Sequence, residues 1–231
     1  MLRPRTADLI RNTVSLAVLV LVIGTAIAVP LAWLVVRTDI RGRRLITWLA
    51  VTPLAVPGYV MAYSLLGLGG YQGVLAQLFD VVVARPSGLA GAAAALTLYT
   101  YPYIFLNVRS ALSGLDPGLE ESGRSLGLTY RQVIGRVVLP QLRPALLAGW
   151  LVVSLYVLGD FGAVALMRFE TFSFAIYLQY TAAFDRSYAA ILALMLLSFT
   201  TVLVVLEVRL LGHRRYARVG SGAARRRTNE R

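Results

Sequence analysis

The chain has 231 residues, 58% of them hydrophobic, with a mean hydropathy of +0.69. A soluble domain carries about 45–50% apolar residues, and here the excess gathers into runs of about 20, the length that crosses a hydrocarbon core roughly 30 Å thick. The net charge of +12 rests on arginine alone, without lysine. Those arginines sit between apolar runs rather than along one helix face, which fits the loops of an integral membrane protein and speaks against a nucleic-acid partner. Cysteine is absent, which excludes disulfides and thiolate metal sites.

A short basic segment, residues 1–12, leads into an apolar run over Thr13–Val36. That run is too long for a signal-peptide core, and no A-x-A-like site closes it. The pattern predicts an all-α polytopic membrane protein with five transmembrane helices, at about 13–36, 45–68, 89–109, 145–167 and 188–210. Pro30 falls in the first, Pro53 and Pro57 in the second and Pro102 in the third, each removing a backbone donor and favouring a kink.

Orientation follows from the arginines. Residues 37–44, 109–144 and the tail from 209 hold 17 of them, whereas Arg3, Arg5, Arg11, Arg85, Arg168 and Arg186 make six on the other side. The richer set belongs in the cytoplasm, which leaves the N-terminus external with three arginines against the trend. The basic tail, 212–231, is expected to be cytoplasmic and disordered, with His213 merely solvated.

Between the third and fourth spans lies a long polar loop, 112–144. Asp116 followed by Pro117 is a helix start, with Glu120 and Glu121 suited to the positive end of the helix dipole. Gly127 should end that helix in the left-handed conformation of a C-terminal cap. Thr129 and Gln132 make a capping-box pattern for a second helix, which Pro140 and Pro144 are expected to end. The prediction is a helix–glycine–helix bracket across the cytoplasmic face. An interfacial amphipathic pair and a plain folded connector are the alternatives that physics alone leaves open.

The spacing of Glu121, Ser122, Gly123, Gly127, Val137, Leu139 and Pro140 resembles the "EAA" signature of permease subunits in binding-protein-dependent ATP-binding-cassette importers. Ser122 and Gly123 stand where the family has two alanines, and Val137 where it has isoleucine. Further stretches, among them PLAWLVVRTDIRGRR, TPLAVPGYVMAYSLLG and LGDFGAVALMRFETFSFAIYLQYTAAFDR, resemble ferric-iron-type permeases. In those proteins two homologous halves are commonly fused, and this sequence is similar to the first half. The resemblance implies a type I importer permease core in the bacterial inner membrane whose bracket is a coupling helix docked on a cytoplasmic ATPase dimer. It also implies a second permease half, as a separate chain or a homodimer, and a periplasmic or lipid-anchored binding protein. The chain itself is expected to bind no cofactor, with ATP and magnesium held by the ATPase; it has no G-x-x-x-x-G-K-[ST] motif, and without lysine it can have none. The resemblance further implies an incomplete permease: a split subunit, a misassigned start or a gene fragment. Ferric iron is the expected substrate; a polyamine, sulfate or thiamine permease, and a truncated half that does not transport, stay open.

Four more residues are candidates. Asp160 is an acid expected well inside the fourth span, where a carboxylate is costly and marks a translocation path by default. The other reading of Asp160 is a structural partner for a hydroxyl or arginine on a neighbouring helix. Arg168, Glu170 and Asp185 fall in the expected outer loop and could meet the binding protein, against the plainer reading of solvated surface charge. Tyr177, Tyr180 and Tyr188 read as an aromatic belt at the outer interface.

Overall fold

A computed structural model describes residues 4–181 and 186–211, and among them every regular element is helical. Asp185 and His213 lie outside the described residues. Four helices are long and apolar enough to span a membrane, and a fifth crossing exists where two shorter helices are counted as one broken span.

The first helix, α1, runs over Pro4–Arg37, so it begins within the segment expected to precede it. Its early turns are not idle. Leu9 is buried against Phe172, Ala175 and Leu192, which gives the start of α1 an apolar face of its own. Pro30 sits inside α1 without ending it.

The second expected span is broken. Helix α2, Arg43–Val51, passes into a 3-10 turn over Thr52–Ala55, and α3 follows over Gly58–Leu68. The chain bends by 101° between the two legs. Pro57 causes the break: it offers no N–H, and its ring pushes the preceding Val56 into an extended conformation, φ −100° and ψ 119°. A short helix, α4, Val74–Phe79, then leads through an extended strap to α5, Gly88–Ser113.

Helix α5 is the axis of the bundle. Its run of Gly91, Ala92, Ala93 and Ala95 is buried, and α1 lies along it through Leu16, Val20, Ala28 and Ala32. Small residues let backbones approach where lipid gives no hydrophobic drive to helix pairing, so van der Waals contact must hold the pair. On the other flank α8, Leu139–Gly159, crosses α5 at Gly149. A side chain at Gly149 would begin 3.1 Å from Ile104 Cα, so the crossing is already at backbone contact. Trp150 Nε1 donates to the Thr25 hydroxyl at 2.9 Å and ties α8 to α1.

Five elements complete the fold: α6, Pro117–Ser125, ahead of α7, Tyr130–Val133, and then α9, Gly162–Leu166, α10, Phe172–Thr181, and α11, Arg186–Leu211. The fourth expected span, 145–167, therefore stops at Gly159 and restarts as α9. Helix α11 packs chiefly on α10 and leaves most of its apolar side chains exposed, including Leu194, Leu197, Val202 and Leu206.

The crossing at Gly149 generates a prediction. Gly149→Leu should destabilise the detergent-solubilised chain by about 1–3 kcal/mol, the usual result of overpacking. Gly67→Ala, on α3 where nothing lies within 4 Å of the new methyl, should cost nothing and gain up to about 1 kcal/mol from the better helix former. Thermal unfolding of both variants checks the pair.

Candidate functional site

The polar loop folds as a bracket whose first arm is α6. Asp116 caps it, its Oδ1 accepting from Gly118 N at 2.9 Å, with Pro117 at the first helical position. The arm ends at a left-handed Gly127, φ +82°. Gly127 N donates to Arg124 O and Leu128 N to Gly123 O, the two bonds of a Schellman motif. Gln132 Oε1 then accepts from both the backbone N–H and the hydroxyl of Thr129, at 2.9 and 3.1 Å, and opens the second arm.

Pro140 and Pro144 do not end that second arm, contrary to the sequence expectation. Helix α7 passes through a π-helical segment, Ile134–Val138, directly into α8, and the helical run is unbroken over Tyr130–Gly159. The wider π turn absorbs the mismatch: it re-registers the backbone pairing just before Pro140, which has no N–H to give. The bracket's second arm is therefore the end of a membrane span.

The signature residues divide by role. Gly123 is buried, and a methyl there would meet Val133, Leu128 and Val137 at 3.4–3.7 Å, so a small residue at this position lets the arms close on each other. Val137 and Pro140 are half-buried, whereas Glu121, Ser122, Gly127 and Leu139 are exposed. Leu126, beside the bend, is 83% exposed. The neighbouring Glu120 was read as a helix-dipole residue, yet its carboxylate pairs with Arg37 at the end of α1.

Asp160 stands elsewhere. Rather than lying within a continuous helix, it ends α8 and caps α9: Oδ1 accepts from Ala163 N at 2.9 Å and from Val164 N at 3.3 Å. Tyr99 on α5 donates to Oδ2 at 3.4 Å, and Ser173 on α10 donates to the Asp160 carbonyl. A hydroxyl partner and a helix start thus account for most of its bonding. The D-F-G-A run carried this signal, since Asp is a preferred N-cap. Beside it, Tyr103 donates to Tyr156 at 2.9 Å with the rings stacked 5.0 Å apart, a polar aromatic patch that sequence reasoning missed.

At the end of the bundle opposite the bracket, Glu170 is engaged with α1. Its carboxylate lies 3.8 Å from Arg5, and its carbonyl accepts from Asn12 Nδ2 at 3.0 Å. Arg168 is exposed and held at φ +55°, in the closing position of a second Schellman motif: Arg168 N donates to Ala165 O and Phe169 N to Val164 O. Glycine usually takes that position.

Residues 21–215 match the family described as binding-protein-dependent transport system inner membrane component. The Fe(3+)-transport system permease protein of Haemophilus influenzae is 30% identical over 96% of this chain and 41% of its own length. A probable molybdenum ABC transporter permease protein of Haloferax volcanii is 32% identical, covering 84% of this chain and 72% of that protein. The sulfate transport system permease protein of Salmonella typhimurium is 36% identical over 58% of this chain and 49% of its own length. The chain thus spans less than half of the ferric-iron and sulfate relatives. Among solved structures, a bacterial ABC transporter for import of the acidic polysaccharide alginate superposes with a TM-score of 0.71 at 17% identity, over 90% of this chain and 79% of that one. The inward-facing MetNI methionine ABC transporter gives 0.67 at 18% identity, over 91% and 98%. Those two likenesses show the fold.

The packing between the bracket arms can be tested directly. Gly123→Ala should stabilise the chain by about 0.5–1 kcal/mol, because alanine is the better helix former and the space admits a methyl. Gly123→Leu should part the arms, and limited proteolysis near residue 127 should then become faster.

Proposed function

We propose a transport role from one premise: this chain belongs to the family of binding-protein-dependent transport system inner membrane components. It is the membrane permease of an ATP-binding-cassette importer, multi-pass in the inner membrane, with the bracket on the cytoplasmic side. The N-terminus is then external and the C-terminus cytoplasmic.

The observation that carries this reading is the tip of the bracket. Leu126 is a bare apolar side chain beside a fully paired glycine bend, on a mount continuous with a membrane helix. An exposed apolar anchor on a rigid polar element suits a protein partner, since hot spots are anchors that fill pockets. That partner is a cytoplasmic ATPase dimer, which holds the ATP and magnesium. Glu121, Ser122, Gly127 and Leu139 line the docking surface, while Gly123, Val137 and Pro140 hold its shape. A second permease half completes the path, and a periplasmic or lipid-anchored binding protein delivers the substrate to the opposite side.

Ferric iron is the substrate we favour. The ferric-iron relative aligns along 96% of this chain. The charged group at the break between α8 and α9 is the Asp160 carboxylate, flanked by tyrosine hydroxyls, a setting that suits a cation and opposes an anion such as sulfate. Asp160 accordingly borders the path as well as capping α9. Arg168 and Asp185 meet the binding protein, and Glu170 braces that surface against α1.

Two experiments follow. In the reconstituted complex, Glu121→Ala or Gly127→Val should lower uptake on the order of tenfold or more, the size of effect expected when an interface anchor is lost or misplaced. The protein should remain in the membrane, and normal uptake by both variants would sink the coupling role. At the outer end, Arg168→Gly removes a left-handed non-glycine residue and should raise stability by about 1 kcal/mol. The same change should weaken capture of the binding protein; unchanged capture would leave Arg168 without that role.

A further inference from the structure

The geometry points to Arg37 and Glu120 as a positioning pair: an ionic strut that joins the docking bracket to α1 and carries movement between them. This rests on the proposed importer role and adds to it a link that the signature residues do not contain.

Arg37 is the last residue of α1, and Glu120 lies in the first turn of α6. Arg37 Nη2 is 2.5 Å from Glu120 Oε1, and the two side chains are only 24% and 18% exposed. Glu120 Oε1 is shut off from solvent, and among the described residues no other hydrogen bond reaches it. The guanidinium also lies over Trp33, 5.7 Å from the ring centroid, which fixes its aim. Each charge suits the helix end that bears it, a cation at the C-terminus of α1 and an anion near the N-terminus of α6.

The surroundings make the pair a bridge rather than one contact among many. A cavity of about 320 Å³ opens between α1, the end of α5 and the bracket, lined by Trp33, Arg37, Leu112, Glu120, Glu121 and Tyr130. Across that gap the ion pair joins α6 to α1, while α6 itself packs on α7 and the π segment. Arg124 lines the same cavity, but its guanidinium lies over Tyr130 at 5.8 Å. Helix α1 in turn lies along α5, the axis of the bundle. A force on the bracket therefore has three routes into the membrane: the short link from α5 into α6, the unbroken helix from α7 into α8, and the strut into α1.

The test uses the permease assembled with its ATPase and binding protein, and reads the stimulation of ATP hydrolysis by the loaded binding protein. Arg37→Glu and Glu120→Arg should each keep ATPase capture yet cut that stimulation on the order of tenfold, the usual scale of coupling between sites. Combining both changes restores opposite charges and should recover most of the stimulation. A second arm compares one polypeptide with itself, so misfolding cannot mimic the result. The chain has no native cysteine, so Arg37→Cys with Glu120→Cys gives a clean pair. It should be uncoupled when reduced and recoupled once a short bifunctional reagent joins the thiols. A charge swap no better than the single changes, or a cross-linked chain that stays uncoupled, would overturn the strut alone. A wild-type chain that captures no ATPase would overturn the importer role and the strut together.

Discussion

Hydrocarbon offers no water to a free amide or carbonyl, and an unpaired backbone group there costs several kcal/mol. Each interruption of a helix in this protein therefore needs its own local repair. At Asp160 the repair is a side chain: a carboxylate replaces the helical acceptors that Ala163 and Val164 have lost, while Tyr99 and Ser173 hold the same residue from α5 and α10. At Pro57 it is a change of direction: Pro57 has no N–H to leave unpaired, and it stands at the cap from which α3 starts afresh. Between Ile134 and Val138 it is a π turn, which keeps the chain helical through Pro140. Three breaks, three chemistries, and each one points the chain at a place where the permease could act.

Packing obeys a second constraint. Because lipid tails are as apolar as leucine, burying leucine between helices gains little, and close approach counts for more. That explains why the axis of the bundle is the helix richest in glycine and alanine, and why Gly149 faces the backbone of Ile104. The same reasoning leaves α11 at the margin. Its exposed leucines and valines need only lipid or another membrane helix beside them, so its sequence carries no small-residue stripe of the kind seen in α5.

Much of this was legible in the residues. Helix class, the caps at Asp116 and Thr129 and the bend at Gly127 were readable because each depends on neighbours within a few positions. What was hidden depends on distance in space. Proline at 140 reads as a terminator by local rules, and only the π turn, a tertiary accommodation, lets the helix run on. Asp160 reads as a path residue or as the partner of some hydroxyl or arginine, and only the fold names that hydroxyl as Tyr99, 61 residues away in sequence. Leu9 reads as part of a polar leader until Phe172 and Leu192 cover it. The pairing of Arg37 with Glu120 left no trace in spacing at all, since either residue alone has an ordinary local explanation.

The bracket's helical attachment to α8 and its ionic attachment to α1 differ in kind, and the difference bears on the coupling role proposed above. A continuous helix transmits push and pull along its axis, but it resists bending and holds its registry. An ion pair at the mouth of a cavity has little axial stiffness and can re-form after sliding, as interface salt bridges do when packed bodies rotate. With α8 fixed to the bracket covalently and α1 fixed to it by charge, a rocking bracket would drive α8 directly and α1 with some slip. Helix α5, held between them by Gly149 on one side and the alanine run on the other, would feel the difference between the two motions. A shear between α1 and α8 across α5 is the movement this arrangement favours. The Trp150–Thr25 hydrogen bond, which joins α8 directly to α1, is placed to limit its extent.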